Sequence, residues 1–588
     1  MLVRTPRDTS AAHCPSCWSL LSMSDPTAPV SPPPASPAPV RGWLGRTALF
    51  VLPFLLTLAG LRLGLHTAVA NKIARNVVRT QDVLLALLVA WLVFVVGSLW
   101  GTRPHDEPAG LRLRERAPVF GLLLVVFLTP LLLWFVGEWP GHLRSDMLQS
   151  VAVSSRHEVD PWLSTLWGLY AGAVHRITGN FTLLSVLNIL LLSWVLADVF
   201  SLLLRLGLPR WGAVPFVLLL VTSVPLGLLA INLSHDILNG FLKIALVATL
   251  LRVLVRGRLS GRPGARPGTL VLLGALVLAT ALLRGENIVL LVYVPALLLL
   301  TRQARPLAVG LLVLALVAGH LTFRRALEPM LTGPWLNNSD FRNRYQLTLL
   351  LNPLGFMAMN HAYSPTPEQD REVVSRAVSW ECLVERTLIW EPPCYWTDLR
   401  SPLTDENLAG VKRVFVRTAL DNPGLFLANR VAVFAGNLGV APQVIPPFIP
   451  EREQADPAQL YRPHAEVMAR EGLVPPPPNA LSRLTHAVRD GSYPREGLRS
   501  ARAVLWTSLP AFLLLVGLLV TWRRNPMCAA LAGVLAVPLG PFFLAAPASH
   551  ITYLTDLWVF GYLAVPLLLF ERRVLGARAV SAREQGAA

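Results

Sequence analysis

About twelve apolar runs, each near the length a helix needs to cross a bilayer, constrain this chain more than any other feature. They fall near 47–65, 83–100, 118–136, 181–204, 211–231, 237–255, 269–283, 288–300, 306–321, 503–521, 527–545 and 551–570. A helix rises about 1.5 Å per residue and needs ~20 residues to cover the hydrocarbon. The pattern therefore predicts an all-α polytopic membrane protein of about twelve transmembrane helices. The runs around Leu270 and Val289 are short, which leaves the span ends open there.

Composition agrees: 53 % of the 588 residues are hydrophobic and 15 % are charged. A formal net charge of +17 would suggest nucleic acid in a soluble chain. Here most arginines sit in short loops between apolar runs, where positive charge sets topology. Nucleic acid is thus not an expected partner. The basic loops are Arg41 with Arg46, 103–116, Arg205 with Arg210, 252–266, Arg302 with Arg305, Arg523 with Arg524, and Arg572 with Arg573. Counting spans puts all of these on one side, and only Lys72, Arg75 and Arg79 disagree. The expectation is a multi-pass protein of a bacterial inner (cytoplasmic) membrane with both termini cytoplasmic.

The chain then divides into a disordered tail over 1–40, a membrane region over 41–321 with a first outer loop at 137–179, a large outer loop over 322–502, further spans over 503–573, and a tail over 574–588. The first tail is polar and proline-rich and lacks the order of a signal peptide, so Met23 competes with Met1 as the start. Cys14 and Cys17 form a lone C-P-S-C with no second half for a zinc site. In the large outer loop Cys382 and Cys394 are candidates for a disulfide. Thr404 before Asp405 and Glu406 reads as a helix cap over an apolar face of Leu408, Val411 and Phe415, and Asn422-Pro423 opens a second amphipathic helix with Phe426 and Val433. Nearer the start, Trp162, Leu166, Leu169, Tyr170, Ala173 and Ile177 make a helical apolar stripe suited to the membrane interface, with a tilted or re-entrant span as the alternative.

Four polar clusters fall on the outward side: the loop containing Asp146; Asn232, Ser234, His235 and Asp236; Arg284, Glu286 and Asn287; and His550, Tyr553 and Asp556. Solvation suffices to explain any one of them, Asp236 fits a helix cap, and Arg284 fits a snorkelling side chain. Lys243 is different, because a charge inside the bilayer is costly and faces a partner or a cavity. Asp236, on about the same helix face, is its nearest candidate partner. Asp198 and His320 lie near span ends, where snorkelling or a local hydrogen bond accounts for them.

Such a face suits transfer of a sugar from a lipid phosphate, whose tail stays in the bilayer. The departing phosphate needs a cation and the attacking hydroxyl needs a base. Arg284 or Lys243 would hold the phosphate and Asp146 would take the proton, with His157, Glu158 and Asp160 as secondary candidates. Asn232, His235, Asp236, Glu286, Asn287, His550 and Tyr553 complete the candidate pocket.

The segments W-P-G-H-L-R-S-D-M-L-Q around Asp146, S-H-D ending at Asp236, L-R-G-E-N around Arg284 and N-P-G-L-F-L-A-N-R from Asn422 occur in an order that resembles the GT-C superfamily of membrane glycosyltransferases, including protein O-mannosyltransferase-like enzymes and related bacterial membrane proteins. The resemblance implies many spans, outer loops packed over the active site, a polyprenyl-phosphate sugar donor, and the catalytic carboxylate at Asp146. The chain has no second acidic residue beside Asp146, and His235 stands where relatives often carry lysine. No cofactor is specified, and use of a divalent metal stays open. The expected partners are membrane lipids, the donor, and an acceptor protein or glycan. A polysaccharide polymerase or ligase shares the lipid-linked donor and remains an alternative. A lipid or solute transporter would be marked by internal repeats, broken spans or midplane charges.

Overall fold

The computed structural model describes residues 113–142, 145–156, 158–336, 338–385, 399–400, 402–440, 465–474, 476–492 and 505–576, all of which belong to one compact unit. The expected spans near 47–65 and 83–100, the first tail, His157 and Cys394 lie outside them. Among the described residues the regular structure is helical, with only two isolated β-bridges, His142 to Asn232 and Val378 to Leu399.

The chain opens with α1 (Leu113–Gly137), α2 (Ser145–Ser154), α3 (Thr165–Thr178) and α4 (Leu183–Arg205). Then follow α5 (Arg210–Thr222), α6 (Val224–Ala230), α7 (His235–Ser260), α8 (Pro267–Leu283) and, after a 3-10 turn at Gly285–Val289, α9 (Leu290–Leu300). Helix α10 (Pro306–Thr322) runs through a π-helical turn, Phe323–Leu327, into α11 (Glu328–Leu336). Beyond it come α12 (Ser339–Met359), α13 (Pro367–Ser375), α14 (Trp380–Glu385), α15 (Asp405–Asp421), α16 (Pro423–Asn437), α17 (Ala465–Arg470) and α18 (Ala480–Ser492). Three apolar helices close the fold: α19 (Leu509–Val520), α20 (Pro526–Ala545) and α21 (Thr555–Leu569).

Every apolar run that falls on described residues forms a helix. Among the described residues six stretches are long and apolar enough to cross a membrane: Pro118–Gly137, Leu183–Arg205, His235–Ser260, Pro306–Gly333, Pro526–Ala545 and Ile551–Leu575. The run near 211–231 is a bent pair, α5 and α6, turned by 61°. Its cause is local: Ser223 is extended and its hydroxyl caps α6 by accepting from Leu226 N, while Pro225 lacks the N–H that would continue α5. The runs near 269–283, 288–300 and 503–521 make shorter helices, Pro267–Leu283, Gly285–Leu300 and Leu509–Val520.

Helix α7 is the centre of the bundle, since 83 % of its apolar window is buried against 22 % for the Pro306–Gly333 stretch. Between apolar helices in lipid there is little hydrophobic drive, so close packing at small residues decides the contacts. Gly240 of α7 is such a place, because a Cβ there would stand 2.9 Å from Thr555 Cβ and 3.0 Å from Asp556 N. At the end of the bundle away from Gly240, Glu571 accepts from Met527 N (2.9 Å) and Cys528 N (2.8 Å) at the start of α20 and pairs with Arg258 at 3.1 Å. A carboxylate there meets the open amides and the positive end of the helix dipole. Asp198 of α4 is paired with Arg252 of α7.

Helices α12 to α15 build a second core from Leu347, Leu351, Leu354, Val374, Val378, Leu383, Leu408 and Val411. Thr404 caps α15 as expected, accepting from Asn407 N at 3.2 Å, and Pro423 opens α16. Cys382 is disulfide-bonded. A third, smaller core joins α2, α3 and α17 through Met147, Leu148, Val151, Trp167, Ala171 and Met468, and extends to Leu233. The helix expected after Trp162 is therefore present, but its packed face is Thr165, Trp167, Gly168, Ala171 and Val174, one step round from the predicted stripe. Gly168 explains the shift, since a Cβ there would come within 2.8 Å of Asp160 O. Of the predicted stripe, Leu166 and Tyr170 pack at the edge of this core, while Ala173 and Ile177 face outward, Ile177 at 84 % exposure.

Candidate functional site

The polar turns meet where α1, α7, α8 and α20 end or begin. Ser234 starts α7 by accepting from Asp236 N at 3.2 Å, and the backbone of Leu233 donates to His142 O at 3.3 Å. The first loop is thereby tied to the turn that carries Asn232, His235 and Asp236. Asn232 is wholly buried, and neither of its side-chain amide atoms has a hydrogen-bond partner among the described residues.

Arg284 occupies the junction. Its backbone leaves the helical region at the end of α8, and its guanidinium pairs with Asp236 and with Glu286. Its charge stands 4.6 Å from the ring centroid of Tyr553 and 5.8 Å from that of Phe542. Burial alone would lower the guanidinium pKa, but Glu286 and Asp236 outweigh it and hold the value above the ordinary one. His235 Nε2 lies 3.2 Å from Asp236 Oδ1. Asn287 donates to Asn239 Oδ1 at 2.8 Å and to Thr280 O at 3.0 Å, pinning the 3-10 turn to α7 and α8. The ring of His550 meets that of Tyr553 edge-on at 5.3 Å.

Lys243 does not reach Asp236. Its Nζ lies 2.5 Å from Asp556 Oδ2, and both side chains are buried. The reason is distance: seven residues along a helix separate Asp236 from Lys243 by roughly 10 Å, whereas Gly240 brings the start of α21 against α7. Both cations proposed to hold phosphate thus already face carboxylates.

The first loop contributes differently from its sequence. Asp146 lies in the first turn of α2, which packs beside Leu233 through Met147, Leu148 and Val151; the Asp146 side chain is outside the described residues. Asp160 is buried and structural: it accepts from Ser150 Oγ and from Trp162 N, each at 2.8 Å. Glu158 is exposed and 3.5 Å from Arg156. The residues just after Asp160 link several walls at once. Ser164 donates to Leu282 O at 3.0 Å, Thr165 donates to Glu328 at 2.6 Å, and Trp162 packs edge-on to Tyr345 with centroids 5.5 Å apart. Tyr345 keeps 45 % of its surface exposed, and its hydroxyl pKa lies above the ordinary value, raised first by desolvation and then by Glu286 and Asp236 against the opposing charges of Arg284 and Arg324.

Sequence reasoning missed Tyr345 and a cluster around Glu138, and gave no role to Arg430, the last residue of the N-P-G-L-F-L-A-N-R segment. The Glu138 carboxylate is 2.7 Å from Arg489 Nη1, 3.4 Å from His486 and 3.5 Å from His142. Burial raises its pKa, but the hydrogen bond and charge of His142 with the charges of Arg489 and His486 win, so it lies below the ordinary carboxylate value. Nothing in the order of residues announces partners that far apart. Among the described residues no group of three or more His, Cys, Asp or Glu is arranged to hold a metal ion.

No family model, curated protein or solved structure matches the chain. The class is set by the helices and turns themselves: a helical protein with several spans of membrane-crossing character, whose polar turns converge on Arg284 at one end of the bundle.

Proposed function

We propose that this protein is a GT-C-type membrane glycosyltransferase of about twelve spans. It moves a sugar from a polyprenyl-phosphate donor to a protein or glycan acceptor on the outer face of a bacterial cytoplasmic membrane, with both termini inside. The observation that carries the reading is the convergence on Arg284 of turns from residues 232–236, 284–287 and 550–553, beside the loop that contains Asp146. A donor phosphate would replace one anionic partner of Arg284 by another, so the guanidinium stays charged and oriented before the donor arrives. Asp146 is the base for the acceptor hydroxyl. In this reading the large outer loop lies over the site, and Tyr345 of α12, which packs on Trp162, is the part of it nearest the polar turns.

One observation favours transport instead: the 61° break at Ser223, together with the half-buried pair Asp198–Arg252 and the buried pair Lys243–Asp556. The break is closed by Tyr562, whose hydroxyl is 3.1 Å from that of Ser223, which argues for a fixed bend. Reconstitution with labelled polyprenyl-phosphate sugars tests the two readings together: sugar transfer supports the first, and counterflow without transfer supports the second.

A further inference from the structure

Arg430 is the one cation of α16 whose residue is fully buried, and no carboxylate faces it among the described residues. A guanidinium in such a place is costly unless its donors are met. Neutral oxygens meet them. Asn429 Oδ1 accepts from Nε at 3.0 Å and also from Nη2, while Nη1 donates to Ala546 O at 2.9 Å and to Leu544 O at 3.4 Å. These carbonyls end α20, where a helix leaves acceptors open and its dipole is negative, so a cation suits the place.

The chain of bonds continues on both sides. Asn429 donates to Asn352 Oδ1 at 2.9 Å, on α12 two turns beyond Tyr345, and both asparagines are fully buried. In the other direction the same face of α16 holds the strand of chain that leads to Tyr553. Ser549 donates to Val433 O at 2.8 Å, and His550 N donates to Asn437 Oδ1 at 2.7 Å. Tyr345 packs on Trp162, two residues before the Ser164 that donates to Leu282 O close to Arg284 in the chain, and Tyr553 carries the Arg284 charge over its ring.

We propose that Arg430 is a positioning residue of the Arg284 site: through the buried chain Asn352–Asn429–Arg430–Ala546 it sets the spacing between the Tyr345 and Tyr553 walls. The proposal rests on reading that site as the place where substrate binds. Its test uses fluorotyrosine at positions 345 and 553, observed by fluorine NMR in lipid nanodiscs. Arg430→Met should move both resonances, Arg430→Lys should move both by less, and Asn352→Leu should move that of Tyr345 alone. A folded Arg430→Met protein with both resonances at their wild-type positions overturns the proposal. Should that variant not fold, Arg430→Lys carries the same decision. In turnover of a polyprenyl-phosphate sugar, Arg430→Lys should lower kcat at least tenfold and leave KM within twofold; a raised KM at unchanged kcat would contradict a positioning role. If the wild-type protein turns over no sugar, the proposed function fails while the fluorine comparison still decides the coupling.

Discussion

Lys243 and Asp556 form a buried ion pair, 2.5 Å apart, between α7 and the start of α21, and this leaves Asp236 to Arg284. Two separate charge pairs result where the sequence suggested one. The deeper pair ties helices together, and the shallower one stands among the polar turns.

Removing one member of the deeper pair strands the other. Lys243→Met should destabilise the protein by about 3–5 kcal/mol, the usual cost of a buried charge left alone. Lys243→Met with Asp556→Leu should recover much of that loss. Thermal unfolding in detergent measures both, and a double variant less stable than either single one would refute the pairing.

Glu138 predicts an acid limit on the docking of α18. Its folded pKa is depressed below the ordinary 4.5, so its stabilising contribution is complete above that value and is lost as pH falls through the lower, folded one. Hydrogen exchange of residues 480–492 should therefore accelerate below about pH 4.5. In Glu138→Gln exchange should be faster at neutral pH and lose that acid step. An unchanged step would assign it to another group.

The disulfide at Cys382 predicts a mobility shift on reduction after thiol blocking. Cys394 is its expected partner, so Cys394→Ser should abolish the shift as Cys382→Ser does. Buried Cys528 should resist alkylation until the protein unfolds. A Cys394→Ser protein that keeps the shift would point to a different partner.

Much of the scaffold was legible because hydrophobic length and helix caps are local. The apolar runs, the Thr404 cap and the Asn422-Pro423 start all depend on neighbours within a few residues. Lys243 was read against Asp236 because helix periodicity puts them on one face. Periodicity says nothing of the axial gap or of the contact that Gly240 permits with Asp556. Arg430 closes the N-P-G-L-F-L-A-N-R segment, but no role for it could be read there: within an amphipathic helix an arginine reads as solvated, and only the packing of α20 turns it inward. Asp160 differs again: its chemistry suits a base, and what the sequence did not show is that its buried carboxylate accepts from Ser150 and Trp162. The junction at Arg284 was half legible: each turn was polar in sequence, but their meeting is a tertiary fact.

Donor binding and transfer by the Arg284 site are tested most directly with a labelled polyprenyl-phosphate sugar and purified protein in liposomes, comparing wild type, Arg284→Ala and Asp146→Asn. Wild type should transfer sugar, Arg284→Ala should bind donor at least tenfold more weakly, and Asp146→Asn should bind it normally while losing turnover. Equal donor affinity in wild type and Arg284→Ala, with turnover unchanged in Asp146→Asn, would contradict the assignment of this site.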